Sequence, residues 1–319
     1  MFRRDLGRRL LGLVVSLLVA SLLIFLVTNA LPGSIANVVL GAQASPGEVA
    51  AFEERHGLSR PLLLRYFEWL KGVVVGDFGT TFVGGRDVLG EILPRLGISV
   101  WLVVLGMLFA LVIAIPLGSF AALRRRHVSG FVASTFSQAG LSVPAFWAGM
   151  WLVIVFAVNL RWLPAGGYVP LSRDPVGWAT HLVLPVTSLA LVQGSLLARY
   201  VRSAVIEVTS EDWFRTARAV GWSRLGALLR HGTRNIAISL LTVIGLQVAT
   251  LLVGAIIIEQ VFAIQGLGSR LLLAVSQRDL VLVQGIILIL VWAVLVINFV
   301  VDVVYQAVDP RLKEAGTIS

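Results

Sequence analysis

Cysteine is absent from the sequence, and lysine, histidine and charged residues in general are scarce. Only 13% of the 319 residues are charged, and four are histidines. Without cysteine the chain can form no disulfide, thiolate metal site or cysteine nucleophile. The histidines lie far apart, which disfavours a metal site. Neither Lys71 nor Lys313 precedes a serine or threonine, so the Gly-Lys-Ser/Thr loop that cradles nucleotide phosphates is missing.

Apolar residues make up most of the chain. The hydrophobic fraction is 57% and the mean hydropathy is +0.90, whereas about 25% of the residues in an ordinary soluble domain are charged. So few charges cannot cover the surface of a soluble fold of this size. A bilayer removes the difficulty, because apolar side chains can face lipid. The composition therefore predicts an all-α polytopic membrane bundle, and the net charge of +9 is read as a membrane-topology signal rather than as nucleic-acid binding.

A membrane helix needs about 20 mainly apolar residues, and six stretches qualify as transmembrane helices. They are residues 10–30, 99–123, 132–158, 181–200, 236–261 and 281–305. The first stretch follows four arginines and could be a signal peptide. Its apolar run is longer than the 7–15 residues typical of a signal core, so we expect an uncleaved first span.

Basic residues are distributed unevenly around these spans. Six spans place both termini on the same side of the membrane. The segments on that side carry 16 basic residues, and the segments on the opposite side carry 10. Residues 31–98, on the opposite side, also hold seven acidic residues. The positive-inside tendency therefore predicts cytoplasmic termini. The predicted organisation is a first span with a long extracytoplasmic segment (1–98), a five-helix core (99–308) with a cytoplasmic loop (199–235), and a cytoplasmic tail (309–319).

Ionisable and polar side chains within the spans are candidates for function. Glu259 and Asp302 lie toward span ends, where we expect water to reach them. Four uncharged polar residues could line a translocation path or could form hydrogen bonds between helices, and the sequence leaves both open. These residues are Gln138, Ser142, Gln193 and Gln247.

The inner loop 199–235 predicts a short amphipathic helix, a tight turn and a second helix. Hydroxyl and acidic residues at 209–212 suit a helix start, Gly221 suits a left-handed stop, and a second helix begins at Ser223. The apolar stripe of the first helix consists of Trp213, Phe214, Ala217 and Val220. Its basic face consists of Arg215 and Arg218. A helix lying at the lipid headgroups is the alternative interpretation.

The run at 212–221, Asp-Trp-Phe-Arg-Thr-Ala-Arg-Ala-Val-Gly, resembles the cytoplasmic coupling loop of ABC-importer permeases. It is most similar to the dipeptide/oligopeptide/nickel branch of that family. The similarity extends over nearly the whole chain, although Ser239 stands where that branch usually has a proline. Further matching motifs are Gly76-Asp-Phe-Gly-Thr80, Ser142-Val-Pro-Ala-Phe-Trp147, Trp162-Leu-Pro-Ala-Gly-Gly-Tyr168, Gly254-Ala-Ile-Ile-Ile-Glu-Gln-Val-Phe262, Gly266-Leu-Gly268 and Gln277-Arg-Asp279.

This resemblance implies a type I ABC-importer permease in the bacterial cytoplasmic membrane. The implied partners are a second homologous permease, two ATPase subunits (or one fused), an extracytoplasmic solute-binding protein and the lipid bilayer, but no nucleic acid. ATP and Mg²⁺ would be bound by the ATPases, with no cofactor in this chain. The implied ATPase-docking residues are Glu211, Asp212, Trp213, Phe214, Arg215, Thr216, Ala217, Arg218, Val220 and Gly221.

Di- and oligopeptides are the expected substrates, with nickel or another small solute as the alternative. Two other classes of protein compete with this interpretation. A stand-alone secondary transporter is disfavoured by the scarcity of charge within the spans. A membrane-embedded enzyme is disfavoured because neither a metal cluster nor a nucleophile cluster is evident in the sequence.

Overall fold

A computed structural model describes residues 2–30, 40–41 and 43–308 of the chain. Within these residues the secondary structure is helical, with one isolated antiparallel bridge between Thr80 and Asp87. The predicted tail 309–319 lies outside the described residues. The chain divides into two compact units, one formed by Met1–Ile98 with Gly266–Val296 and the other by Ser99–Gln265 with Ile297–Ser319.

The first unit contains α1 and several shorter helices. The helix Pro46–Arg55 shows how sequence sets local structure. The Ser45 hydroxyl accepts a hydrogen bond from the Glu48 amide, the Glu48 carboxylate accepts one from the Ser45 amide, and Pro46 occupies the first helical turn, as in a capping box. The helices are α1 (Phe2–Ala30), α2 (Pro46–Arg55), α3 (Leu62–Val74), the beginning of α4 (Val88–Leu123), α11 (Leu267–Ser276) and the beginning of α12 (Leu280–Val308).

Two buried carboxylates organise this first unit. Asp279, 1% exposed, precedes α12 and accepts hydrogen bonds from the backbone amides of Phe82 and Val83 at 3.2 and 3.3 Å. This contact gives a structural reason for the Gln-Arg-Asp motif at 277–279. Glu91 receives three guanidinium groups at 2.9–3.1 Å, those of Arg86, Arg95 and Arg270, which compensates the loss of its hydration.

The second unit is built around the long helix Pro175–Ser210, which packs against the helices Val128–Leu141, Ala145–Leu152 and Thr233–Val261. Small residues allow close approach: a methyl group at Gly140 would overlap the Ser195 hydroxyl, and one at Gly118 would lie 2.7 Å from Val201 Cβ. Its elements are the rest of α4, α5 (Val128–Leu141), α6 (Ala145–Leu152), a π-helix (Val153–Asn159), α7 (Pro175–Ser210), α8 (Asp212–Ala219), α9 (Arg224–Ala227), a second π-helix (Leu228–Gly232), α10 (Thr233–Val261) and the end of α12.

Five helices among the described residues are long and apolar enough to cross a membrane, and a bent pair brings the number to six if it counts as one span. The bent pair replaces the continuous third span predicted at 132–158. Val128–Leu141 and Ala145–Asn159 meet at 99°, because helix α5 ends before Ser142 and Pro144 begins the next helix as its N-cap. By contrast, α10 runs without a break through Ser239, whose hydroxyl donates to the Asn235 carbonyl at 3.2 Å.

The expectation that Glu259 lies near water is wrong. Its side chain is 1% exposed, and its Oε1 accepts a hydrogen bond from the Ser99 hydroxyl at 2.5 Å. Glu259 occupies the last turn of α10, so its position along the span was read correctly. The packing of α4 against that turn could not be read from hydropathy. Asp302, on α12, is exposed.

The predicted orientation can be tested with two valines of equal exposure. Val75 lies just after α3 in the predicted outer segment and is 74% exposed, while Val220 follows α8 in the predicted inner loop and is 75% exposed. We expect an impermeant thiol reagent applied to intact cells to label Val75→Cys and not Val220→Cys, since the parent chain has no cysteine. After permeabilisation of cells that express this chain alone, both should react. Labelling of Val220→Cys in sealed cells would reverse the orientation.

Candidate functional site: the loop between α7 and α10

The loop begins where α7 ends, at Ser210, and α8 follows after the single residue Glu211. The predicted side-chain cap at 209–212 is wrong, because the two hydroxyls bond backward into α7. Thr209 Oγ1 donates to the Ile206 carbonyl at 3.0 Å and Ser210 Oγ to the Glu207 carbonyl at 2.7 Å. Glu211 is the N-cap residue of α8 and makes no capping side-chain bond. The α7–α8 corner is therefore made by the backbone.

The end of α8 matches its prediction. Gly221 has a φ of +102°, which L-residues with a side chain rarely adopt. The Arg218 guanidinium donates to the Trp222 carbonyl and holds this turn. Ser223 caps the next helix, its Oγ accepting from the Gly226 amide at 3.0 Å. The second π-helix then leads into α10, so the loop is folded throughout.

The two faces of α8 have different environments. Phe214 is 5% exposed and belongs to the packing of this chain. Trp213 is half-buried, with ring centroids 5.9 Å from Phe214 and 6.4 Å from His231. Val220 is 75% exposed, and the Arg215 side chain is 74% exposed beside Asp212 at 3.4 Å. The surface that remains free includes Arg215 and Val220, whereas most of the aromatic part of the predicted stripe is occupied.

The polar residues predicted for a path separate into two groups. Gln193 on α7 donates through Nε2 to Gln247 Oε1 on α10 at 2.8 Å, which realises the interhelical hydrogen bond that the sequence had left as one of two options. Gln138 and Ser142 are exposed, and Ser142 lies in the break between α5 and α6. The structure brings the first two residues together and does not join the others to them.

The motifs Trp162–Tyr168 and Gly254–Phe262 contact each other. The amide of Gly167 donates to the Phe262 carbonyl at 2.8 Å, and Gly167 has a φ of +89°. A methyl group at Gly166 would overlap that same carbonyl. The Trp-Leu-Pro-Ala-Gly-Gly segment thus needs its glycines to reach the end of α10, three residues after the buried Glu259.

The long apolar helices among the described residues define a polytopic membrane protein. Comparison with known families identifies the kind. Residues 114–314 match the family described as binding-protein-dependent transport system inner membrane component, and residues 1–103 match its N-terminal component. The chain belongs to this family and is a permease subunit of an ABC importer, a transporter component of the cytoplasmic membrane.

Individual relatives extend the similarity over almost the full chain. The glutathione transport system permease protein GsiC of Salmonella choleraesuis is 38% identical over 306 residues, covering 96% of this chain and 97% of that protein. GsiC of Escherichia coli K12 is 37% identical with the same coverage. An inward-facing structure of the MetNI methionine ABC transporter shares the fold, with a TM-score of 0.56 at 18% identity over 69% of this chain and 97% of the other. The fold is that of a type I importer permease.

The left-handed turn after α8 predicts a specific sensitivity. A side chain at Gly221 meets no neighbour within 4 Å, so its cost is conformational, about 1–2 kcal/mol. Gly221→Val should make the loop more susceptible to limited proteolysis and lower its thermal stability. Gly12→Ala is the control, because it also enters open space but within a regular helix. Equal behaviour of the two variants would show that the turn tolerates a side chain.

Proposed function

We propose that this chain is one of two membrane subunits of an ATP-driven importer of short peptides. A second homologous permease, two ATPase subunits or one fused ATPase, and an extracytoplasmic binding protein complete the transporter. The similarity to GsiC supports the peptide class, because glutathione, for whose transport those relatives are named, is a tripeptide. Nickel or another small solute is the alternative substrate. ATP and Mg²⁺ are bound by the ATPases.

The observation that carries the proposed mechanism is the two-faced packing of α8. Phe214 fixes one face to the body of the second unit, while Arg215, Thr216 and Val220 remain exposed on the rest of the helix. A lever needs both properties, because force applied at a free surface moves the spans only if the helix is firmly attached to them. The exposed surface binds an ATPase, and the attached face transmits the movement into α7.

The packing of the loop also bears on the headgroup alternative. A helix that lies on lipid presents its apolar face to the bilayer. Here the largest apolar side chains of α8, Phe214 and Trp213, are engaged by the protein. Besides these two rings, the exposed residues from Asp212 to Gly221 are mainly polar or basic, apart from Val220. Further along the loop, Trp222, Leu225 and Leu229 are also exposed. This distribution favours a protein partner over insertion into lipid.

Val220→Asp tests the docking surface. A charge at an exposed position of a protein contact leaves the free subunit stable but opposes a buried interface, so we expect association with the ATPases to weaken about tenfold, corresponding to about 1.4 kcal/mol. The measurement is co-purification of the ATPases from cells that express the complete transporter. Val75→Asp is the matched control, equally exposed but in the predicted outer segment.

Phe214→Ala separates attachment from docking. Truncating this buried ring should cost about 3 kcal/mol of stability, visible as a lower unfolding temperature of the purified subunit. Val220→Asp should leave that temperature unchanged. Normal ATPase binding and full uptake by the Val220→Asp transporter would place the docking surface elsewhere in the chain.

Substrate class is tested by reconstitution of the whole transporter. Proteoliposomes containing both permeases and the ATPases, supplied with the accompanying binding protein, should accumulate labelled glutathione or a labelled di- or tripeptide in an ATP-dependent manner. Vesicles with an ATPase that cannot hydrolyse ATP serve as the control. ATP-dependent accumulation of nickel without peptide would favour the alternative substrate, and peptide uptake driven by an ion gradient without ATP would contradict the mechanism.

A further inference from the structure

A pocket of about 540 Å³ lies in the second unit between the end of α4, the beginning of α5 and the loop that contains α8. Its basic lining comes from separate segments that the fold brings together. The charged or titratable residues around the pocket are Arg125, Arg126, His127, Arg215, Arg218 and Arg224.

Positive charge in this pocket is not balanced by its own lining, which contains no carboxylate. Within the described residues, Arg125, Arg126 and Arg224 form no ion pair. Arg215 has only its exposed contact with Asp212, and such surface pairs are weak. Five arginines in one pocket repel each other, so an anion placed among them would relieve an unfavourable arrangement.

The position of the pocket indicates where the anion comes from. Arg125 and Arg126 follow directly after α4, whose segment Val88–Leu123 is a candidate membrane span. The pocket therefore follows directly after the end of a candidate span at Leu123, and the polar headgroup region of a bilayer lies next to the ends of its spans. Gly130 keeps the turn between α4 and α5 tight. A methyl group at this position would overlap the Arg124 carbonyl, so only glycine lets α5 pass this close to the arginine-containing turn.

We propose that this pocket binds the phosphate group of an anionic phospholipid. Guanidinium groups bind phosphate oxygens with two parallel hydrogen bonds, and basic pockets beside membrane helices suit lipid headgroups. The Thr209 side chain also lines the pocket, as does the apolar end of α4 through Ala122 and Leu123, next to which the glycerol and the first acyl carbons can lie. The bound lipid joins the end of α4 to α8 and leaves Val220, which does not line the pocket, free to contact the ATPase.

The chain supplies its own matched control within one run of three arginines. Arg124 is not part of the pocket and lies over the Phe120 ring at 5.2 Å. Arg125 and Arg126 line the pocket. Arg124→Gln and Arg125→Gln remove the same charge from adjacent exposed positions. A difference in lipid affinity between the two variants is therefore due to the pocket and not to the general positive charge of the surface.

The test is native mass spectrometry of the full chain titrated with phosphatidylglycerol, with phosphatidylcholine as the neutral comparison. We expect one tightly bound phosphatidylglycerol, bound about tenfold more weakly by Arg125→Gln and by Arg126→Gln, as for loss of one charged hydrogen bond. Arg124→Gln should bind like the parent chain. Unfolding temperatures of all variants should agree, because these side chains are exposed.

Four outcomes would overturn the proposal. Equal weakening by Arg124→Gln and Arg125→Gln, or equal binding of phosphatidylcholine, would reduce the effect to general surface charge or non-specific lipid binding. Complete displacement of the lipid by millimolar inorganic phosphate would identify a free-phosphate site instead. Unchanged lipid binding by Arg125→Gln together with weaker ATPase association would assign the pocket to an acidic surface of the ATPase.

Discussion

The architecture depends on one constraint: backbone N–H and C=O groups inside a bilayer find no water and must be satisfied within the protein. Long helices meet this requirement, and α4, α7, α10 and α12 follow it directly. The helices are interrupted at places where the backbone groups can still be satisfied. Pro144, which has no N–H to satisfy, stands at the 99° bend between α5 and α6. Inside α7, Pro185 is buried and removes one N–H from the helical ladder, and the Ser188 hydroxyl, also buried, is satisfied by the Pro185 carbonyl at 2.7 Å.

The same constraint governs the few charges that the apolar segments contain. A buried carboxylate is stable only with donors around it, and the three buried carboxylates in the described part of the chain all have them. Glu91 has three arginines, Asp279 has the amides that precede α4, and Glu259 has the Ser99 hydroxyl. These contacts join segments far apart in the sequence, so a few polar groups fix the arrangement of helices whose apolar surfaces alone would allow several packings.

The folded loop between α7 and α10 shows how one short helix can serve two purposes. Eight residues of α8 are too few for independent stability, and the helix persists because Phe214 is packed into the unit and the Gly221 turn closes its end. Its remaining surface is thereby held in a fixed orientation. The basic pocket next to it, at the end of α4, gives the loop a second contact, directed toward the membrane rather than toward a protein partner.

The sequence by itself determined the membrane class, the positions of five of the six predicted spans and the helix–turn–helix form of the loop, because hydropathy, helix periodicity and the special backbone of Gly221 act locally. It also carried the family motifs, whose order along the chain was sufficient to indicate an importer permease. Only the tertiary structure decided which face of α8 is free, that Glu259 is buried against Ser99, and that Arg125 lines a pocket while Arg124 does not. Those properties depend on which distant segment packs against each side chain, and a linear pattern specifies that a residue is apolar or charged without specifying its neighbour.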